Sequence, residues 1–419
     1  MNKTITLILI VLVSAFSFSA SAQNREIIED SLDMTPGYAN DIFYSMTDGE
    51  VASVARAGWD LGFYTNAFSA GIIINEGNGV QLFSYPNSDT SGWASFDTTG
   101  MMSWQSLSNS NEYWEDGAFN RTSTGHPDYG WGVYNMVTHG LTGDSLYLIN
   151  IPNVGYKKLW IVDKVSVDNI YHLRFADING DNEENVELDI KPFTSKNFAY
   201  YSMANNELID REPSDAWDIL FTKYIDITYD NEGNPAEYLV TGVTSNINTA
   251  ASKFTEVSQD FDDWTAKPMD SLKNTIGYDW KYFDMGTFQW TVDDSTVFFV
   301  MGNSGDVFKL VFTEWQGSTT GKFSFYKEMV SATSISDIAS VNENITVYPN
   351  PANDVVNIRM EESLNGDLAI FDITGKLVYT ESLLNSTIVS VDVSAFDKGL
   401  YFITLTGDNK KESAKFIIN

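Results

Sequence analysis

The sequence predicts an all-β protein: two tandem homologous β domains followed by a small immunoglobulin-like β-sandwich. Three observations carry this. First, a stretch recurs. Phe43-Tyr44-Ser45-Met46 leads to Trp59-Asp60-Leu61-Gly62-Phe63, and Tyr200-Tyr201-Ser202-Met203 leads to Trp217-Asp218-Ile219-Leu220-Phe221. The gaps nearly match, 15 residues from Tyr44 to Trp59 and 16 from Tyr201 to Trp217, as expected of a repeated structural unit. Second, the aromatic content is 14%, with 11 Trp, 21 Tyr and 26 Phe, which suits sheets. Third, the segment 345–419 breaks into short apolar runs separated by turn signals.

Taken in order, Lys3, the apolar run Ile5 to Val13 and Ala20-Ser21-Ala22 read as a secretory signal peptide over residues 1–22. Residues 23–37 are polar and acidic and read as a lead-in. The first β domain is placed at 38–190. In it Trp59, Leu61 and Phe63 alternate onto one face, leaving Asp60 on the other, where burial would demand hydrogen-bond partners. Asn75-Glu76-Gly77-Asn78-Gly79 between Ile72-Ile73-Ile74 and Val80-Gln81-Leu82-Phe83 predicts a hairpin. Pro86 to Glu115 is a long polar insertion with scattered Trp.

The second domain is placed at 191–330. The landmarks Tyr129-Gly130-Trp131, Met136 and Tyr171 to Phe175 align with Tyr278-Asp279-Trp280, Met285 and Phe308 to Phe312. A hairpin turn falls at Asp230 to Pro235. Residues 331–344 form a linker, and 345–419 the last domain, with strands at Val355–Ile358, Leu368–Phe371, Leu377–Tyr379 and Leu400–Ile403.

The net charge of −32 argues against nucleic acid or an anionic membrane as partner. The absence of cysteine removes disulfides, iron–sulfur clusters and thiol catalysis. Beyond the leader no apolar run reaches spanning length, so no transmembrane segment is expected in the mature chain. Gly143-Asp144-Ser145-Leu146 spells an esterase signature, but no Asp-x-x-His partner occurs and a hairpin turn explains it. With no phosphate loop or oxyanion motif, the chain is expected not to be an enzyme. Asp177, Asn179 and Asp181 open like a calcium loop, but Leu188 stands where a bidentate Glu belongs. Asp30-Ser31-Leu32, Asp144-Ser145-Leu146 and Asp270-Ser271-Leu272 look like O-glycosylation sites of exported proteins.

Two family resemblances follow. Tyr348-Pro349-Asn350-Pro351-Ala352, Ile370-Phe371-Asp372-Ile373-Thr374-Gly375-Lys376, Lys398-Gly399-Leu400-Tyr401 and the basic Lys410, Lys411 and Lys415 resemble the type A C-terminal sorting domain of the type IX secretion system. The resemblance implies a Bacteroidota cell envelope, export across it and the type IX machinery as partner. Separately, Trp-Asp-aliphatic-x-Phe, Tyr238-x-x-Thr241-Gly242-Val243-x-Ser245-Asn246 and Gly305-Asp306-Val307-Phe308 resemble the HmuY-like haem-binding proteins.

That second resemblance implies haem as cofactor. The chain has three histidines, all in the first repeat, and His139 with His126 or Met136 are the axial candidates. Met136 and Met285 recur at matched positions and read more simply as core. The competing expectation is a haem-free module for a host or environmental ligand, or for glycan through loop tryptophans Trp93, Trp104, Trp114 and Trp264.

Overall fold

The computed structural model describes residues 26–214, 217–229, 232–331, 345–373, 376–407 and 411–418. The leader at 1–22, nearly all of the linker and the Thr374-Gly375 turn lie outside the described residues. Among those described, the helices are short 3-10 segments, and no helix is long and apolar enough to cross a membrane. The fold is all-β.

The first run of strands is β1 (Ile27–Asp33), β2 (Asn40–Ser45), β3 (Gly49–Ala55), β4 (Leu61–Tyr64), β5 (Ile72–Ile74), β6 (Gln81–Ser84), β7 (Ser106–Leu107), β8 (Gly132–Tyr134), β9 (Leu141–Gly143), β10 (Tyr147–Ile151), β11 (Gly155–Val165) and β12 (Ile170–Asp177). The second run is β13 (Glu184–Asp189), β14 (Phe198–Ser202), β15 (Glu207–Ile209), β16 (Ile219–Tyr229), β17 (Pro235–Ser245), β18 (Ala250–Phe254), β19 (Lys281–Asp284), β20 (Gln289–Val292), β21 (Val297–Met301), β22 (Val307–Trp315) and β23 (Lys322–Ser331).

The sheet orders show two like sandwiches that exchange strands. One large sheet runs β13-β12-β11-β10-β6-β7, and its counterpart runs β1-β23-β22-β21-β18. The smaller sheets run β15-β14-β4-β5 and β3-β2-β16-β17. Strands β1 to β3 therefore complete the sandwich made by the second half of the chain. Strands β13 to β15 complete the one made by the first half. Tyr44 pairs with Ile219, and Tyr201 pairs with Leu61.

The cores follow this exchange. Leu61, Phe63, Tyr147, Ile149 and Tyr171 share one core with Ala199, Tyr201 and Met203. Ile219, Phe221, Phe298, Phe312 and Phe325 share the other with Leu32, Tyr44 and Met46. Burying these aromatic side chains together with the Leu, Ile and Val of the same clusters removes the apolar area from water that stabilises each sandwich.

The Trp-Asp stretches form the corners of the exchange. Asp60 N donates to Tyr201 O at 2.8 Å, and Asp218 N donates to Tyr44 O at 2.8 Å. The Asp60 carboxylate accepts from Met203 N at 2.8 Å, and Asp218 accepts from Met46 N at 2.7 Å. Burial pushes both carboxyls above the usual range, and these backbone donors pull the other way. Each buried acid thus has the partners its position demands.

Several local expectations differ. Segment 23–37 contains β1, an edge strand paired with β23, and its polar look reflects one exposed face, Leu32 being the one buried residue of the strand. Trp59 does not share a face with Leu61 and Phe63. It packs on Tyr200 at 4.7 Å, as Trp217 packs on Phe43 at 5.1 Å, in the contact between the two sandwiches. Ile72–Ile74 and Gln81–Ser84 are not a hairpin. β5 pairs with β4 and β6 with β10, so the glycine-rich turn crosses between layers. Sheet order also makes β23, not β22, the counterpart of β12, so Tyr171 to Phe175 does not correspond to Phe308 to Phe312.

The remaining strands are β24 (Ile345–Tyr348), β25 (Val355–Asp372), β26 (Leu377–Asp392), β27 (Gly399–Gly407) and β28 (Lys411–Ile418). Val355–Ile358 and Leu368–Phe371 belong to one long strand of 18 residues, because β25 pairs with β24, β26 and β27 along its length. Leu400 and Ile417 join an apolar cluster with Met269, Val297, Phe299 and Val311 of the second sandwich. Lys415 Nζ donates to Asn248 O at 3.1 Å beside them.

Candidate functional site

A cleft of about 600 Å³ opens on the second sandwich, lined by Tyr38, Tyr238, Tyr278, Trp290, Trp315, Lys223 and Lys281 among others. The start of β17 projects past its core, so Tyr238 is 65% exposed. Trp290, on β20, is 39% exposed. Its ring lies over Gly317, where φ is +76° and a Cβ would sit 2.7 Å from the indole. A side chain at Gly317 would push the ring away. Trp315 stacks on Tyr38 at 5.3 Å and meets Trp280 edge-on at 5.4 Å, and Trp280 lies flat on Phe312 at 3.7 Å. The wall is therefore an ordered aromatic stack.

Lys281 is buried at the base of this stack. Its ammonium is 4.2 Å from the centre of Trp280 and 4.4 Å from that of Trp315. It donates to Thr241 O at 2.7 Å and Tyr278 O at 3.1 Å. Burial pushes its pKa down to about 7, partly offset by Asp279. Lys223 is also lowered, by burial and then by Arg56.

The first sandwich lacks this arrangement. Trp131-Gly132 stands where the second has Trp280-Lys281, and a Cβ on Gly132 would sit 2.6 Å from Thr142 O. That difference between otherwise matching copies is the signal by which the sequence could have exposed the cleft.

The haem candidates lie elsewhere, Met136 and His139 in the β8–β9 hairpin and His126 in the turn that precedes it. His126, Met136 and His139 are all exposed, Met136 by 73%. Tyr134 hydroxyl and His139 Nδ1 are 2.6 Å apart, and the His126 ring is 5.3 Å from that of Tyr134. His139 and Phe288 hold the same turn position in the two sandwiches, with φ of 58° and 56°. These residues sit on an open surface rather than in an enclosed apolar slot with facing ligands, so they do not fit a bound haem. Met136 and Met285, 73% and 72% exposed, are not core. His172 pairs with Asp163 at 2.6 Å, which raises its pKa, as a solvated strand residue would.

Asp177, Asn179 and Asp181 occupy the turn after β12. Asp177 is bound by Lys157 Nζ at 2.5 Å and by Asn182 Nδ2 at 2.6 Å, and Asn179 donates to Asp181 at 2.8 Å. Among the described residues no group of three or more His, Cys, Asp or Glu could hold a metal ion. Ser145 bonds Asp144 at 2.9 Å at the entry to β10, as a turn residue does. The loop tryptophans are packing plugs. Trp93 and Trp104 are buried, and Trp93 donates to Glu183 at 2.9 Å. Trp114 donates to Ser245 O at 2.8 Å between the two sandwiches.

Residues 346–419 match the family model described as "Secretion system C-terminal sorting domain". Ulvan lyase NLR42 of Nonlabens ulvanivorans is 35% identical over 77 residues, which is 18% of this chain and 14% of that protein. Funoran endo-beta-hydrolase of Wenyingzhuangia aestuarii is 26% identical over 166 residues, 36% of this chain and 22% of that protein. The chain thus spans a minor part of the length of either relative. A solved structure described as "Structural basis for Dscam isoform specificity" aligns with a TM-score of 0.13 and 10% identity over 94% of this chain and all of that one, a likeness that carries no argument.

The chain carries a type IX secretion sorting domain, and it is a Bacteroidota protein of the extracellular space or outer-membrane surface. The HmuY-like resemblance of residues 38–330 finds no support in these matches. The expectation that the chain is not an enzyme is overturned, since both named relatives are glycan-degrading enzymes, one a lyase and one a hydrolase.

Proposed function

We propose that this protein engages polysaccharide at the cell surface through the aromatic cleft of its second sandwich. The observation that carries this is the pair of solvent-facing rings, Tyr238 and Trp290, lining one cleft with the stacked Trp315 and Tyr38. Flat aromatic faces take the apolar C–H face of a sugar ring, and a concave site lined by rings with a few polar groups is the usual form of a binding cleft. The sorting domain supports the reading, since a protein of the extracellular space or outer-membrane surface has access to extracellular polymer. The names of the two enzyme relatives point to the same class of molecule.

The test is calorimetry of the full mature chain against a panel of soluble polysaccharides, ulvan and funoran included. Release of reducing ends and of unsaturated sugars is followed in the same samples. Saturable binding that weakens at least tenfold in Trp290→Ala and Tyr238→Ala supports the reading. No binding and no product with any polymer overturns it.

A further inference from the structure

The cleft lining is unusual for this chain in its charge. Carboxylates outnumber Lys and Arg by 57 to 25 in the sequence. Yet the cleft is lined by Lys223 and Lys281 and by no Asp or Glu. Several cations elsewhere are met by acids, Arg56 and Arg211 by Asp41, Lys157 by Asp177 and Arg174 by Glu183, while Lys158, Lys164 and Lys415 are held by backbone carbonyls outside this cleft. Among the described residues, neither Lys223 nor Lys281 has an ion pair. Asp279, the acid whose charge Lys281 feels, is bonded to Lys253 at 2.5 Å. Two of the three Lys281 donors go to backbone carbonyls, which leaves a third.

Resting on the polysaccharide reading, we propose that the occupant of the cleft is an anionic polysaccharide, with sulfate or carboxylate groups met by Lys223 and Lys281 while its sugar rings lie on Trp290 and Tyr238. A buried ammonium without a counter-ion is costly, and an anion brought by the ligand removes that cost. The overall charge of −32 does not oppose this. At physiological ionic strength distant charges are screened over roughly 8 Å, and Asp279, the acid that acts on Lys281, is itself held by Lys253. The placement of Lys281 between two indoles also fixes the ammonium in one position, which favours a ligand with its charge at a set distance from the stacked ring.

The test is affinity electrophoresis of the full mature chain in gels containing κ-carrageenan (sulfated), polygalacturonate (carboxylated) or plain agarose (neutral). Retardation in at least one anionic gel, with at least tenfold weaker affinity in Lys281→Met and in Lys223→Gln, supports the proposal. Which anionic gel retards the protein separates sulfate from carboxylate recognition. Lys223→Gln, at a half-buried position, keeps the test valid if Lys281→Met does not fold. Equal retardation by the neutral polymer, unchanged by Lys223→Gln, overturns the anionic preference and leaves the polysaccharide reading standing. No retardation in any gel overturns both.

Discussion

The carboxylate of Asp60 holds the backbone N–H of Met203, 143 residues away, at 2.8 Å. Asp218 holds that of Met46, 172 residues away, at 2.7 Å. Each repeat thus anchors the leading strands of the other, and neither sandwich is complete without strands from both. The two halves are locked by topology as well as by contact.

Removing one anchor strands a buried amide. Asp60→Ala is expected to cost about 1–3 kcal/mol, the usual range for a buried donor left without a partner. Asp60→Asn keeps an acceptor oxygen and is expected to cost less. Thermal or urea unfolding measures both. An alanine variant as stable as wild type would show that the corner does not hold the exchange.

Glu212 lies where the two small sheets meet and accepts from Asn197 N, Phe198 N, Tyr200 Oη and Trp217 Nε1. Burial outweighs these donors and pushes its pKa from 4.5 up to about 7. Between those values the folded protein keeps a proton that the unfolded chain has released. The contribution of Glu212 to stability therefore falls as pH rises from about 4.5 to 7 and is flat outside that window. In Glu212→Gln this slope is absent. The variant is expected to lose a hydrogen bond at every pH, yet to close part of the gap to wild type as pH climbs through the window. Parallel stability curves would contradict the raised pKa.

The sorting domain is expected to stay attached without its covalent link. Leu400 and Ile417 complete an apolar cluster of the second sandwich, and Lys415 is buried there, its pKa pushed down to about 8. A protease site placed within residues 332–344 should give, after cleavage, a complex that co-elutes in gel filtration. Leu400→Asp should release the small domain. Separate elution of the two cleaved wild-type parts would contradict the docking.

Much of the fold was readable from local pattern. Alternation and turn residues located most strands, and the motifs from Tyr348 to Lys415 marked the sorting domain. The strand exchange was not readable, because the copies are alike. A strand carrying Phe43 and Tyr44 suits either sandwich equally, and its partner Ile219 lies far along the chain. Trp59 lies off the face of Leu61 and Phe63 because the strand alternation does not extend back to it from β4, which begins at Leu61. The cleft is illegible in the sequence for another reason. Its rings come from separate stretches around Tyr38, Tyr238, Trp290 and Trp315, and no short motif joins them. His139, by contrast, was singled out by residue type and proves to be an exposed turn residue.

The two exposed hairpins offer the most direct discrimination. Trp290 and Met136 sit on corresponding hairpins of the two sandwiches, but only the former borders the aromatic cleft. Titration of an oligosaccharide from the best-binding polymer, followed by tryptophan fluorescence, should show saturable binding in wild type. Met136→Ala should bind as wild type does, and Tyr238→Ala at least tenfold more weakly. Equal affinity in wild type and Tyr238→Ala, or loss of binding in Met136→Ala alone, would contradict the cleft as the site where polysaccharide is held.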